Sequence, residues 1–292
     1  MSTTSTWAWC STRRSVGEFI SYGDLISPGE YRLHSRFRRA INFAHGSQLV
    51  SLVDESVGAG PLNVVLTRVA EVGGECLLVG DDSMQVGTVT LDFAGACRYD
   101  SSLAMPTDSD SASFDRGLSF FKETLRVLAP AHSLVHLRAG DEDADAPASF
   151  EAALAERFVR GCHLLEEGEY AAGTQWVKGI GYGLTPSGDD FLCGFLIALH
   201  LRRLLFGENT AAITETVFHS AASRNPLSMS FLQCARRGRV SEKLRNVVTA
   251  IVKGEHESIL TATRALASVG ETSGADTAAG LIFGLESCRV AA

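Results

Sequence analysis

Two stretches in the second half of the chain repeat one pattern. GIGYGLTPSGDDFLCGFLIAL starts at Gly179 and GETSGADTAAGLIFGL starts at Gly270. Aligned on Ser187 and Ser273, both read S-G-x-D-x-x-x-G, so Ser187, Gly188, Asp190 and Gly194 match Ser273, Gly274, Asp276 and Gly280. A threonine stands just upstream of each serine, Thr185 and Thr272, one residue out of register because Pro186 intervenes. An apolar run with helical spacing follows each motif. A chain with two such helices must bring them together or expose both.

Helix capping explains part of the motif. Ser-x-x-Asp ahead of an apolar run is a variant of the capping box, in which serine accepts a bond from an orphan N–H and the acid favours the positive helix end. Pro186 also suits a helix start. Capping does not explain the glycines, because glycine inside a helix costs about 1 kcal/mol relative to alanine. Gly188 falls in the first turn, Gly194 and Gly280 lie inside the helices, and Gly284 comes one turn after Gly280. The chain has 28 glycines, where ordinary usage of about 7% gives roughly 20. Much of the surplus is concentrated at these two helix starts, where Gly179, Gly181 and Gly183 also alternate before Leu184.

The motifs therefore predict a pseudo-symmetric pair of helices with glycines facing each other and N-termini converging. A glycine-rich loop feeding a helix N-terminus binds anions readily. The predicted substrate-binding groups are Gly181, Gly183, Thr185, Ser187, Gly188, Thr272, Ser273 and Gly274. Asp189, Asp190 and Asp276 are the predicted catalytic carboxylates. In the same cleft they are also candidate ligands for a hard cation such as Mg²⁺, which would bridge to a phosphate or carboxylate substrate.

The remaining sequence divides by texture. Residues 17–139 read as short strands, INFAH, QLVSLVD, LNVVLTRV, CLLVG and GTVTLDFAG, broken by glycine turns. One helix interrupts them, with Phe114, Leu118, Phe121, Leu125 and Leu128 at three- and four-residue steps. Residues 140–149, GDEDADAPAS, form an acidic linker or loop, and 150–292 carry seven predicted helices. The expected fold class is α+β, a β-rich front domain followed by an all-α domain. The Ser/Thr-rich stretch 1–16 has no basic flank followed by an apolar run, and is expected to be a flexible N-terminus rather than a signal peptide.

Bulk properties narrow the function. The net charge of −8 argues against nucleic acid as a partner. No apolar run approaches the ~18 residues of a membrane span. Seven cysteines without any C-x-x-C pair fit reduced thiols in a cytoplasmic protein. Between the motifs, Arg224, Ser228, Ser230, Arg236 and Arg237 stand within reach of a negatively charged ligand in sequence terms, although solvated surface charge is the ordinary role of such arginines. His34 to Phe43 is a basic and aromatic segment suited to a domain interface. His132 and His136 lack the HExxH context that would make their spacing a metal pair.

GLTPSGDDFLCGFL together with GETSGADTAAGLIFGL resembles the AllH-like family of oxamate carbamoyltransferase subunits, with the SMSFLQCARRG segment supporting the likeness. RLHSRFRRAINF and GPLNVVL extend it more loosely into the front half. The resemblance implies a carbamoyl-transfer system of allantoin catabolism in which this chain works with two partner subunits. That system interconverts oxalurate and phosphate with oxamate and carbamoyl phosphate. These ligands are anions, in keeping with the glycine-loop reading. Thr185, Ser187, Asp189, Asp190, Thr272, Ser273 and Asp276 match the family's motif positions, without individual roles. Two alternatives stand beside this reading. One is a non-catalytic assembly subunit whose glycines serve packing. The other is a stand-alone Mg²⁺-dependent hydrolase of a phosphate-bearing ligand, since SGADTAAGLIFG is similar to the Asp-Thr helix motif of ADP-ribosylglycohydrolases.

Overall fold

The computed structural model describes residues 18–104, 110–137 and 150–287. The predicted flexible terminus 1–16 and acidic linker 140–149 lie outside them. The short β-branched and aromatic runs of the front half form β1 (Phe19–Gly23), β2 (Gly29–Arg36), β3 (Ala40–His45), β4 (Gln48–Asp54), β5 (Asn63–Leu66), β6 (Cys76–Val79), β7 (Ser83–Val86), β8 (Val89–Asp92) and β9 (Cys97–Tyr99). They make one sheet in the order β8-β7-β6-β2-β3-β4-β5-β1-β9. The β4–β5 and β1–β9 pairs are parallel and the others antiparallel. Gly46 has φ +58°, the left-handed conformation that lets a two-residue turn join β3 to β4, with His45 opposite Gln48. Tyr31, Ile41, Phe43, Val50, Leu52, Val64 and Leu66 belong to the buried cluster of this sheet.

The helices are α1 (Ser111–Leu128), α2 (Phe150–Glu166), α3 (Tyr170–Val177), α4 (Ser187–Phe206), α5 (Ala211–Ser220), α6 (Pro226–Arg236), α7 (Glu242–Lys253), α8 (His256–Ala267) and α9 (Ser273–Ser287). The mixed α+β class is as expected. Helix α3 was not expected, because its internal Gly173 reads as a breaker. The structure gives that glycine a use: a Cβ there would stand 2.8 Å from the carbonyl oxygen of Gly161, so the paired glycines let α2 and α3 touch backbone to backbone.

Helix α1 packs on α7 and α8, and its Phe114, Leu118, Phe121 and Leu125 join the core of the helical half. An amphipathic stripe shows that a helix buries one face, but not against which neighbour. Helix α4 lies at the centre of this core. Every residue from Ser187 to Leu199 is buried, as suits a helix apolar on all sides. Arg202, near its end, is buried and held by Glu208 at 2.8 Å through Nε and by the Gly284 carbonyl, which satisfies an otherwise costly charge.

Sheet and helices meet along α6 and the turn after it. Ser230 donates to the Ser47 carbonyl at 2.7 Å, Arg239 pairs with Asp24 at 2.9 Å, and the Tyr99 hydroxyl donates to the Val240 carbonyl. Leu49 and Leu62 pack there against Leu227 and Cys234.

Candidate functional site at the paired helix starts

The two motif helices pack directly on each other, and the contact is reciprocal. A Cβ on Gly194 would fall on the carbonyl oxygen of Thr277, and one on Gly280 would fall on that of Phe191. Phe191 and Thr277 occupy equivalent places in the two motifs, so the contacts are images of one another. The first-turn glycines are matched as well. Gly188 sits against the carbonyl of Val177 and Gly274 against that of Leu266, each leaving no room for a side chain. The expected glycine-faced pair is present, and the interior glycines are explained by backbone approach between helices.

The serines do not cap their own helices. Ser187 is the first residue of α4, whose cap position, Pro186, has no capping side chain. The Ser187 hydroxyl instead lies 3.4 Å from the hydroxyl of Thr272, while that of Thr185 lies 3.4 Å from that of Ser273. These two contacts are again related by the motif alignment: each joins the threonine of one motif to the serine of the other. Four hydroxyls thus meet where the two helix starts converge.

Asp190 and Asp276 are buried beneath them. Thr185 donates to Asp190 Oδ2 at 3.0 Å, and the Ser273 hydroxyl also favours its charged form. Asp276 is influenced in the same way by Thr272 and Ser187. Each carboxyl therefore senses its own motif's threonine and the other motif's serine. Burial outweighs these hydrogen bonds and raises the proton affinity of both groups, and for Asp190 the charges of Asp276 and Asp189 add to the rise. Burial and neighbouring Asp190 also push up the Cys193 thiol one turn along α4, which keeps it protonated and a poor nucleophile.

The halves differ in three ways. Asp276 Oδ1 accepts from the Ser133 hydroxyl at 2.9 Å and the Leu134 N–H at 2.8 Å, both from the segment after α1. Asp276 Oδ2 is buried without a partner in hydrogen-bonding geometry. Among the described residues, no backbone N–H from another segment donates to Asp190 in this way. The loop before α4 is also longer than that before α9. A Cβ on Gly181 would stand 2.8 Å from Ser187 Oγ, and one on Gly270 3.1 Å from Ser273 Oγ. The first loop then adds Tyr182, Gly183 and Leu184, which are exposed. Asn225, capping α6, ties this loop down by donating to the Leu184 carbonyl at 2.6 Å. The N–H groups of Gly181, Gly183, Leu184 and Thr185 make no hydrogen bond within the described residues.

The third difference concerns Asp189, which has Ala275 as its counterpart. It accepts from the Gly179 N–H at 2.9 Å and closes the base of the loop. Its hydrogen bonding thus belongs to the loop rather than to the hydroxyl cluster. Among the described residues, no group of three His, Cys, Asp or Glu side chains is placed to hold a metal ion. Ser133, Leu134 and Asn225 carry no motif that marks them. Ser133 stands beside His132 and short of His136, the residues the spacing singled out, and it is the serine that reaches the site.

No helix among the described residues is long and apolar enough to cross a membrane. No curated protein and no solved structure matches the chain. One family model does, over residues 177–285, a stretch that begins at the end of α3 and closes within α9. That family is oxamate carbamoyltransferase subunit AllH, and it is the family that the motif-bearing part of this chain resembles.

Proposed function

We propose that the hydroxyl cluster and glycine loop form the anion-binding face of a carbamoyltransferase subunit, and that Asp190 and Asp276 beneath it handle the proton. The observation that carries this reading is the cross-pairing of hydroxyls over two buried carboxyls of raised proton affinity. Structural caps have no need of such an arrangement. The family match over the same stretch supports the reaction class.

The substrates would be oxalurate and phosphate, or oxamate and carbamoyl phosphate in reverse. From oxalurate, a phosphate oxygen attacks the ureido carbonyl carbon, the bond from that carbon to the amide nitrogen breaks, and oxamate departs. The leaving nitrogen must gain a proton and the attacking phosphate must lose one. Neighbouring buried carboxyls favour a state with one protonated and one ionised. The protonated member supplies the nitrogen through the hydroxyls, and the ionised member receives the phosphate proton by the same route. The unpaired loop N–H groups and the helix ends stabilise the developing oxyanion.

Mg²⁺ enters this proposal only as a counter-ion of phosphate. The donor set does not fit a resident metal, because Asp190 and Asp276 face hydroxyl and N–H donors. No step is routed through it. Partner subunits complete the system, and the cytoplasm is the proposed compartment. A non-catalytic assembly role is the second reading, favoured by one observation: packing alone accounts for Gly188, Gly194, Gly274 and Gly280.

The test is the assembled complex, assayed for carbamoyl phosphate from oxalurate and phosphate, with and without Mg²⁺. Asp190→Asn and the double variant Thr185→Val/Ser273→Ala should each lower kcat by about 100-fold or more, with melting temperature little changed. Unchanged turnover in complexes that still assemble would leave the assembly role standing instead.

A further inference from the structure

A cavity of about 150 Å³ opens where β-strands meet α6, lined by Ser27, Tyr31, Gln48, Gln233, Cys234 and Arg237 among others. Ser230, Gln233, Cys234 and Arg237 recur at helical spacing, so one face of α6 forms its wall. On the same measure a single water needs about 10–15 Å³, so the cavity has room for a molecule of roughly ten heavy atoms.

Its lining contains one charged side chain, Arg237, and no carboxylate. Arg237 is exposed, and its neighbours in sequence are paired while it is not. Arg236 is paired with Glu215 at 2.6 Å and stacked over Phe218. Arg239 is shared between Asp24 and Asp100. Arg237 lies between them in sequence, and its guanidinium has neither an ion pair nor a hydrogen bond among the described residues. Asp24, whose charge is felt by Cys234 in the cavity wall, is taken up by Arg239 and Ser101.

The other polar groups of the lining are partly bonded, with Ser230 donating to the Ser47 carbonyl. The Tyr31 hydroxyl is committed to the Ser27 carbonyl at 2.9 Å and to Gln48 Oε1 at 3.4 Å, which leaves the Gln48 amide nitrogen to donate. The Gln233 amide and the Ser27 and Ser47 hydroxyls make no side-chain hydrogen bond among the described residues. A polar cavity with one unpaired guanidinium, two amides and two hydroxyls is complementary to a carboxylate carrying a second polar group. Cys234 plays no chemical part, since burial pushes its thiol up to about 12.

We propose that this cavity binds a free small carboxylate of two to five carbons, with Arg237 as its counter-ion and Gln48 and Gln233 as the amides that orient it. The inference rests on none of the residues assigned above to carbamoyl transfer, and it stands or falls separately from that reading.

The experiment is thermal unfolding and calorimetric titration of the full chain with malonate, succinate and glutarate. Acetamide and sodium chloride of matched ionic strength are the controls. At least one acid should give a saturable rise in melting temperature and a Kd below about 1 mM. Arg237→Gln should weaken that binding tenfold or more, and Gln233→Leu should weaken it less. Arg237 is exposed and Gln233 half-buried, so folding should be preserved, and Thr185→Val/Ser273→Ala should leave the affinity unchanged. The proposal is overturned if no acid gives a saturable response up to about 10 mM. It is equally overturned if the response persists in Arg237→Gln, or if it is lost in the Thr185/Ser273 variant.

Discussion

The starts of α4 and α9 carry the same motif and the same internal contacts, yet they are set in different surroundings. At α9 the turn is short, and its aspartate is anchored from behind by Ser133 and Leu134. At α4 the loop is longer and exposed, and its aspartate is held by hydroxyls alone among the described contacts. A repeated motif thus supplies one rigid half and one adaptable half. Shared geometry sets how the helices pack, while the unshared flanks set what each helix start can do.

The largest effect should come from the shared part. Gly194→Ala and Gly280→Ala each drive a methyl group into a carbonyl of the facing helix. Because those carbonyls belong to backbone, the helices must separate, at a cost of about 3 kcal/mol or more. Urea denaturation should give similar losses for both. A loss at one and tolerance at the other would break the symmetry.

The aspartates should separate the halves. Asp276→Ala leaves the buried Leu134 N–H without its acceptor, which costs about 1–3 kcal/mol. Asp190→Ala strands only hydroxyls, which can rotate toward each other or toward water, and should destabilise less. The reverse order in chemical denaturation would place the anchored half at α4.

Titration sharpens the comparison further. Both carboxyls bind protons more tightly in the fold than an ordinary aspartate at about 3.9. The folded state therefore holds more protons, and the associated stability is fully present below that value. It is lost as pH rises through the folded pKa, with a slope of up to about 1.4 kcal/mol per pH unit for one group. Stability curves from pH 4 upward should fall for the wild type and fall less steeply in Asp190→Asn, where Asp276 alone still titrates. A parallel fall in the variant would assign the titration elsewhere.

The smallest effect concerns the loop. Gly183 has φ +103°, and a Cβ there would make only an ordinary contact with the Thr185 carbonyl oxygen at 3.8 Å, so Gly183→Ala should cost about 1 kcal/mol through backbone conformation. Gly270→Ala, at φ +65°, also brings a Cβ to 3.1 Å from Ser273 Oγ and should cost somewhat more. Thermal unfolding resolves the two. Ligand affinity should respond to Gly183→Ala more than stability does if the loop N–H groups bind the anion.

What the sequence reveals of this arrangement follows from what repeats and what does not. Gly194 and Gly280 were legible because a glycine in an apolar helix needs a reason, and a second copy of the pattern supplied it. Apolar spacing predicts helices over about 189–206, 227–237, 241–253 and 275–288, close to the observed α4, α6, α7 and α9. The strand order was not legible, because the parallel pairing of β1 with β9 depends on long-range placement that no local pattern encodes. The assignment of α1 to the helical core was hidden for the same reason. At the site, the hydroxyls and Asp190 and Asp276 were found through the echo. Asp189 lies next to Asp190, but a helix turns about 100° per residue, so its carboxyl leaves on another side and ties the loop. Ser133 was beyond reach because its partner is distant in sequence and a single serine carries no pattern.

The cross-pairing of Thr185 with Ser273 and of Ser187 with Thr272 has a consequence for how the molecule comes into being. Synthesis proceeds from the N-terminus, so the sheet and α1 to α8 are all made before the second motif exists. Until then Thr185 and Ser187 lack their partners in the other motif, and α4 lacks its principal neighbour. A nascent chain halted before Ser273 would hold most of the fold's mass with its central helix uncovered. Such a truncated product would expose the apolar side of α4 that α9 covers in the finished fold, and its half of the hydroxyl cluster would stand open.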